Sequence, residues 1–240
     1  MTKERKAAIL IGVLYIVGTV AGVASALIAP PFAAGPDLLG RVAAHRTETI
    51  VGGLLVLTMG FSLSALPAVF YPIGRRFSEA LSMGYVIFRG AIEGMMYFLG
   101  VTIWLVLVAM SANPSAEAPS IADVLARALG VLWDQLGVLP FIIGALMFYS
   151  LLFRTRLVPR WLSVWGLVGA LPYAGAAFAA MAGLNLGWLM APLAVQEMVL
   201  AVWLIAKGFN PEALAQGAPR VEPSSADSGP AAPRLGGALT

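Results

Sequence analysis

The sequence predicts an all-α fold, a polytopic transmembrane bundle of six helices with its N-terminus and C-terminus both cytoplasmic. Three observations carry that prediction. Of the 240 residues, 60% are apolar and only 11% charged, whereas a soluble domain carries about 25% charged residues. The apolar residues fall in six blocks, each near the roughly 20 residues that cross a hydrocarbon core about 30 Å thick. The basic residues gather on one side of those blocks.

In chain order the blocks are 7–28, 49–70, 83–110, 132–153, 162–183 and 186–207. Each is expected to be helical, because an open strand edge leaves backbone groups unsatisfied in lipid. The first follows Lys3, Arg5 and Lys6 and so resembles a signal peptide. It is longer than the 7–15 apolar residues of such a segment and is read as a retained helix. The second is expected to stop at Tyr71-Pro72, since a proline ring disfavours helix at the residue before it. Thr47 or Thr49 is expected to cap its start. Between the third and fourth lies an outer loop, 111–127, whose second half extends into a possible amphipathic surface helix over 120–132. Trp161 and Trp165 anchor the start of the fifth at an interface beside Arg160. A short hairpin, Gly183-Leu184-Asn185-Leu186-Gly187, joins the fifth to the sixth. Residues 1–207 thus form the transmembrane domain. The segment 208–240, rich in Pro, Gly, Ala and Ser, is expected to be a disordered cytoplasmic tail.

Orientation follows from charge. Nine basic residues, including Arg75, Arg76, Arg154, Arg156 and Lys207, flank one side, and three, Arg41, Arg46 and Arg127, flank the other. The positive-inside rule assigns the richer side to the cytoplasm. Arg75, Arg76, Arg154 and Arg156 are also the candidates for contact with anionic lipid, although topology alone accounts for them.

An ionisable side chain at the bilayer centre is costly, by insertion scales about 2.5–3.5 kcal/mol, and usually faces the interior of the bundle. Arg89 and Glu93 in the third span, and Glu197 beside Gln196 in the sixth, meet that description. Glu93 lies ten residues past Met83 and Glu197 ten residues before Lys207. At about 1.5 Å per residue, both carboxylates are expected about 15 Å from the cytoplasmic edge, near the midplane. Spacing of four puts Tyr85, Arg89, Glu93 and Tyr97 on one helix face. Gly90 and Gly94, like Gly18 and Gly22 in the first span, permit close helix packing. If the third and sixth spans face each other, Arg89, Glu93 and Glu197 form one buried cluster with one surplus negative charge. A proton or a bound cation neutralises it, which suits a relay or a cation site. The competing reading is a structural clamp, and the residues weigh evenly between the two.

Other chemistry is thinly represented. The chain has no cysteine, which removes disulfides, iron–sulfur ligation, zinc–thiolate sites and cysteine nucleophiles. His45 is the single histidine, and with Glu48 it reads as a hydrated cap rather than a metal ligand. Asp134 and Gln135 open the fourth span and either line a vestibule or answer the helix dipole. No Gly-rich phosphate loop or Gly-x-Ser-x-Gly nucleophile elbow is present. No cofactor and no nucleic-acid partner is expected.

Two stretches of the first half, Phe70-Tyr-Pro-Ile-Gly-Arg-Arg-Phe-Ser-Glu-Ala80 and Gly84-Tyr-Val-Ile-Phe-Arg-Gly-Ala-Ile-Glu-Gly94, resemble the bacterial DUF4386 membrane-protein family. Leu157-Val-Pro-Arg-Trp-Leu-Ser-Val-Trp-Gly166 and Pro192-Leu-Ala-Val-Gln-Glu-Met198, continued by Trp203-Leu-Ile-Ala-Lys-Gly-Phe-Asn-Pro211, resemble its second half. The resemblance spans about 8–212 and implies a multi-helix protein of a bacterial inner membrane. It implies no activity, substrate or catalytic residue, but Arg89, Glu93 and Glu197 lie inside its motifs. The leading expectation is transport or permeation of a proton or a small cationic or polar solute through this Arg/Glu site. The alternative is a non-catalytic interaction or sensing module with the cluster as a structural ion pair. An enzyme is the least favoured, because no nucleophile and base pair is visible. Three plus three spans would also give inverted halves of a transporter plan, but no self-similarity in the sequence supports it.

Overall fold

The computed structural model describes residues 1–29, 35 and 37–217. Among these, every regular element is a helix and none is a strand. Six helices are long and apolar enough to cross a membrane: Lys3–Ile28, Arg46–Gly74, Glu79–Ala112, Ala118–Thr155, Arg160–Met181 and Gly187–Ala206. We number them spans one to six. Within them, α1 is Lys3–Ile28, α3 is Arg46–Gly74, α4 is Glu79–Tyr85 and α5 is Glu93–Ala112. The remainder are α6 over Ala118–Gly130, α7 over Val138–Thr155, α8 over Arg160–Met181 and α9 over Ala191–Ala206. Two short helices complete the set, α2 over Leu38–Ala44 before span two and α10 over Pro211–Gln216 after span six. The outward surface of the spans is apolar, with Leu27, Leu171 and Val202 each at least 60% exposed, as a face turned to hydrocarbon requires.

The spans form a closed ring. Each packs against the next in sequence, and span six returns to pack on span one. The contact between α1 and α9 is close because Gly12 has no side chain, and a Cβ there would stand 2.6 Å from the Ala201 carbonyl oxygen. Gly18 and Gly22 face Leu63 and Met59 of span two, and Gly94 faces Ser64 of the same span.

Both the start of α1 and the end of α9 lie at one end of the ring, here called the basic end. Arg5 fixes them together by donating to the carbonyls of Leu204 at 3.0 Å, Ile205 at 2.6 Å and Ala206 at 3.3 Å. A guanidinium there satisfies carbonyls that a helix C-terminus leaves unpaired and meets the negative end of its dipole. Arg76 pairs with Glu4 at 3.1 Å beside it. Trp161 lies against both Trp165 and Trp203 with centroids 6.4 Å apart, so three indoles mark this edge.

Four expectations need correction. Pro72 does not end span two: α3 runs through Pro67 and Pro72 to Gly74, since a proline removes only one hydrogen bond and other contacts hold the rest. Neither Thr47 nor Thr49 caps α3; Thr49 donates instead to the His45 carbonyl at 2.7 Å, while His45 and Glu48 are exposed. The outer loop closes early. Pro119, in the first turn where a missing N–H costs nothing, begins α6, and the helix continues without a break to Thr155. Its stripe of Ala118, Ala122, Ala126 and Leu129 is buried against α5 and α2 rather than on a membrane surface. Residues 208–217 are folded onto the bundle where tail is expected. Gly208 takes φ +75°, the left-handed turn that follows many helices. Phe209 then returns its ring to Phe70, Asn210 accepts from the Glu212 amide at 3.1 Å as N-cap of α10, and Ala213 is buried. The rest of the expected tail, 218–240, lies outside the described residues.

Candidate functional site

Arg89 sits on a wide turn. Residues Val86–Ile92 form a π-helical segment between α4 and α5, and the Glu93 amide reaches back to the Phe88 carbonyl five residues earlier. Such insertions are rare and cluster at functional positions. Span four lies against this turn because Gly144 has no side chain: a Cβ there would come within 2.9 Å of the Arg89 Cβ. A second π-helical segment, Val131–Leu136, sits between α6 and α7 and carries Trp133 and Asp134.

The guanidinium divides its nitrogens between two helices. Nη1 donates to both Glu93 carboxylate oxygens, at 2.6 and 2.8 Å. Nη2 reaches across the ring to Glu197 Oε1 at 3.5 Å. The Phe141 ring of span four covers the cation, its centroid 4.4 Å from Cζ. Tyr97 donates to Glu93 at 2.9 Å, so Glu93 is held by Arg89 and Tyr97 together. Glu197 is held more loosely, by the 3.5 Å ion pair. Side-chain exposure follows the same order, 3% for Arg89, 5% for Glu93 and 12% for Glu197. With all three ionised, the cluster carries one uncompensated negative charge in a site of low dielectric, where that charge attracts a cation or a proton.

A cavity of about 420 Å³ adjoins the cluster, and all six spans contribute to its wall. Glu93 and Glu197 form its floor with Arg89. Tyr97, Trp133, Phe141 and Tyr173 line its sides, and the rings of Phe141 and Tyr173 meet at 4.6 Å. Aromatic faces of this kind attract cations. The remaining wall comes from residues such as Thr19, Val56 and Met96, all on the side of the charges away from the basic end.

The expected residues are therefore brought together unequally. Arg89, Glu93, Glu197 and Tyr97 meet in one place. Tyr85 lies beneath the cluster and stacks on Phe148 at 4.6 Å. Gln196 points elsewhere: it accepts from the Tyr149 hydroxyl at 2.7 Å and donates to the Leu162 carbonyl at 3.0 Å. It ties spans four, five and six together. Asp134 and Gln135 line a separate cavity of about 470 Å³ beside the hairpin of Gly183. Arg75, Arg76, Arg154 and Arg156 are all exposed at the basic end.

Sequence reasoning missed Tyr15, Phe141, Tyr149 and Tyr173. A signal existed for the tyrosines. The phenol prefers the wet edges of a bilayer, yet of the six tyrosines in the chain only Tyr71 lies at a span end. The other five surround the Arg89 cluster.

A family model described as a domain of unknown function, DUF4386, matches residues 10–208, and the chain belongs to that family. No curated protein and no solved structure matches the chain.

Proposed function

We propose that this member of the DUF4386 family transports or conducts a proton or a small cationic or polar solute, which is accepted at Glu197 beside a fixed Arg89–Glu93 pair. The observation that carries the reading is the cavity of about 420 Å³ whose floor is this cluster. Arg89 and Tyr97 both donate to Glu93, and the three act as a rigid support. Glu197 is the loosely held member and exchanges its counter-charge. Tyr97, Phe141 and Tyr173 offer their ring faces to the same cation. In this reading the basic end faces the cytoplasm of a bacterial inner membrane, by the positive-inside rule, and the cavity lies in the opposite half. Arg75, Arg76, Arg154 and Arg156 then lie at anionic headgroups. Tyr85 and Gln196 keep the floor in place.

A second reading is favoured by the closed aromatic layer below the site, where Tyr15, Tyr85, Tyr149, Phe70 and Phe148 are each less than 2% exposed. Binding without passage is the work of a sensing or interaction module. Both readings are tested together. Infrared spectra of the protein in nanodiscs follow the carboxyl C=O band of wild type, Glu93→Gln and Glu197→Gln. The expected band responds to acidification and to tetramethylammonium, and is lost in Glu197→Gln. Cation or proton flux into vesicles holding the wild-type protein then supports transport, and binding without flux supports sensing. Carboxylates that stay ionised under every condition, with both variants merely less stable, leave a structural clamp and overturn both.

A further inference from the structure

We infer that the occupant of the site is an amphiphile, with a cationic ammonium head and a single apolar chain, which enters from the bilayer between spans one and six. The inference rests on the reading above, that Glu197 takes a cation, and adds the class of molecule that brings it. Its own support is a second cavity of about 620 Å³ along the outer face of α9. Val195, Met198, Val199, Val202 and Trp203 make its wall apolar. Thr19 and Ala194 border this groove and the central cavity alike.

The seam between α1 and α9 therefore changes along its length. At Gly12 the two backbones touch. Seven residues further on, about two helical turns, Thr19 faces cavity on both sides. Opposite it, Ala194 is exposed and presents only a methyl group. Glu197 follows Ala194 by three residues, so its carboxylate lies on the same helix one turn from the seam. A head group passing there meets the cluster's surplus negative charge, then the rings of Phe141 and Tyr173. Its chain stays outside, along the groove from Ala194 to Trp203, about 14 Å of helix. An inorganic ion uses the carboxylates but leaves both the aromatic walls and the groove without purpose. An anionic or neutral amphiphile fits the groove but not the floor.

The test uses the full-length protein in phosphatidylcholine nanodiscs, with calorimetric titration of tetramethylammonium, dodecyltrimethylammonium and the neutral dodecyl maltoside. The dodecyl cation is expected to bind at least about tenfold tighter than tetramethylammonium, and the maltoside not to compete. Val199→Trp fills the groove and weakens the dodecyl cation about tenfold while leaving tetramethylammonium unchanged. Val195→Trp, at an exposed position, repeats the test should Val199→Trp disturb folding. A dodecyl cation with a brominated chain quenches Trp203, and Trp203→Phe removes that signal without removing binding. Equal affinities for the two cations, competition by the maltoside, or indifference to both tryptophan substitutions overturns the amphiphile and leaves the small-cation reading standing. Binding of both cations that survives Glu197→Gln overturns the underlying reading as well.

Discussion

The two halves of the ring, divided at Arg89, are built differently. Toward the basic end the interior is solid. Phe70 meets Phe148 edge to face at 4.9 Å, Tyr85 stacks on Phe148 at 4.6 Å, and Tyr15 and Tyr149 are 1% exposed. Away from it the interior is hollow, with the 420 Å³ cavity between the charges and a separate apolar cluster of α2, α5 and α6 built on Trp104, Leu107 and Ala122. Close packing normally leaves few voids larger than a water molecule. A half that is filled to that standard beside one that is not assigns them different work. The solid half supports the charges from below, and the hollow half gives access to them.

Substitutions on either side of Arg89 should therefore behave differently. The largest effect is expected at the boundary itself. Arg89→Met leaves Glu93 and Glu197 buried without their cation and should destabilise the protein by about 3–5 kcal/mol, read as thermal unfolding in nanodiscs. Arg89→Lys should recover only part of the loss, because an ammonium cannot reproduce the two-sided reach of the guanidinium. A stable Arg89→Met protein would mean that the charges do not divide the molecule.

Next comes a paired comparison of cavities. Phe148→Ala opens a hole in the solid half and should cost about 3–5 kcal/mol. Met96→Ala enlarges a space that already exists and should cost well under half of that. Equal costs in the same unfolding measurement would erase the distinction between the halves.

A smaller difference is expected between the carboxylates. Glu93→Gln breaks the 2.6 and 2.8 Å bonds from Arg89 and should lose about 1–3 kcal/mol of stability. Glu197→Gln should cost less, about 1 kcal/mol or below, because its contact is longer and more exposed. The reverse order would assign the support to Glu197.

The last test reads access rather than stability. The chain has no cysteine, so single substitutions report access without background. Val56→Cys and Met96→Cys, which line the cavity, are expected to react with a small methanethiosulfonate cation. Tyr149→Cys in the solid half is expected to stay unreactive. Labelling of all three at the same rate removes the floor.

Much of this protein was legible residue by residue. The i, i+4 spacing of Arg89 and Glu93 identified a pair that is indeed in contact, and Tyr97 followed on the same face. Asn210-Pro211 is a legible helix start, although the composition around it reads as tail. The prolines and polar residues of 111–127 read as a loop, yet the alanines at four-residue spacing in 118–126 describe a helix with a buried side. The wide turn at Val86–Ile92 has no local signature in its residues. It depends on the neighbours that hold the helix on either side.

Composition and hydropathy alone were enough to count the six spans and to find which of their ends carry the basic residues. Each is a sum over contiguous residues, so no neighbouring helix enters. Helix packing, by contrast, sets the different partners of Gln196 and Glu197, adjacent in the chain: Tyr149 and Leu162 for one and Arg89 for the other. It alone decided which carboxylate is bound tightly and that the space around them lies on one side. Those outcomes depend on how far apart six helices stand across a ring. That distance is set by side chains such as Gly12, Gly144 and Phe148, which lie on different helices and far apart in sequence.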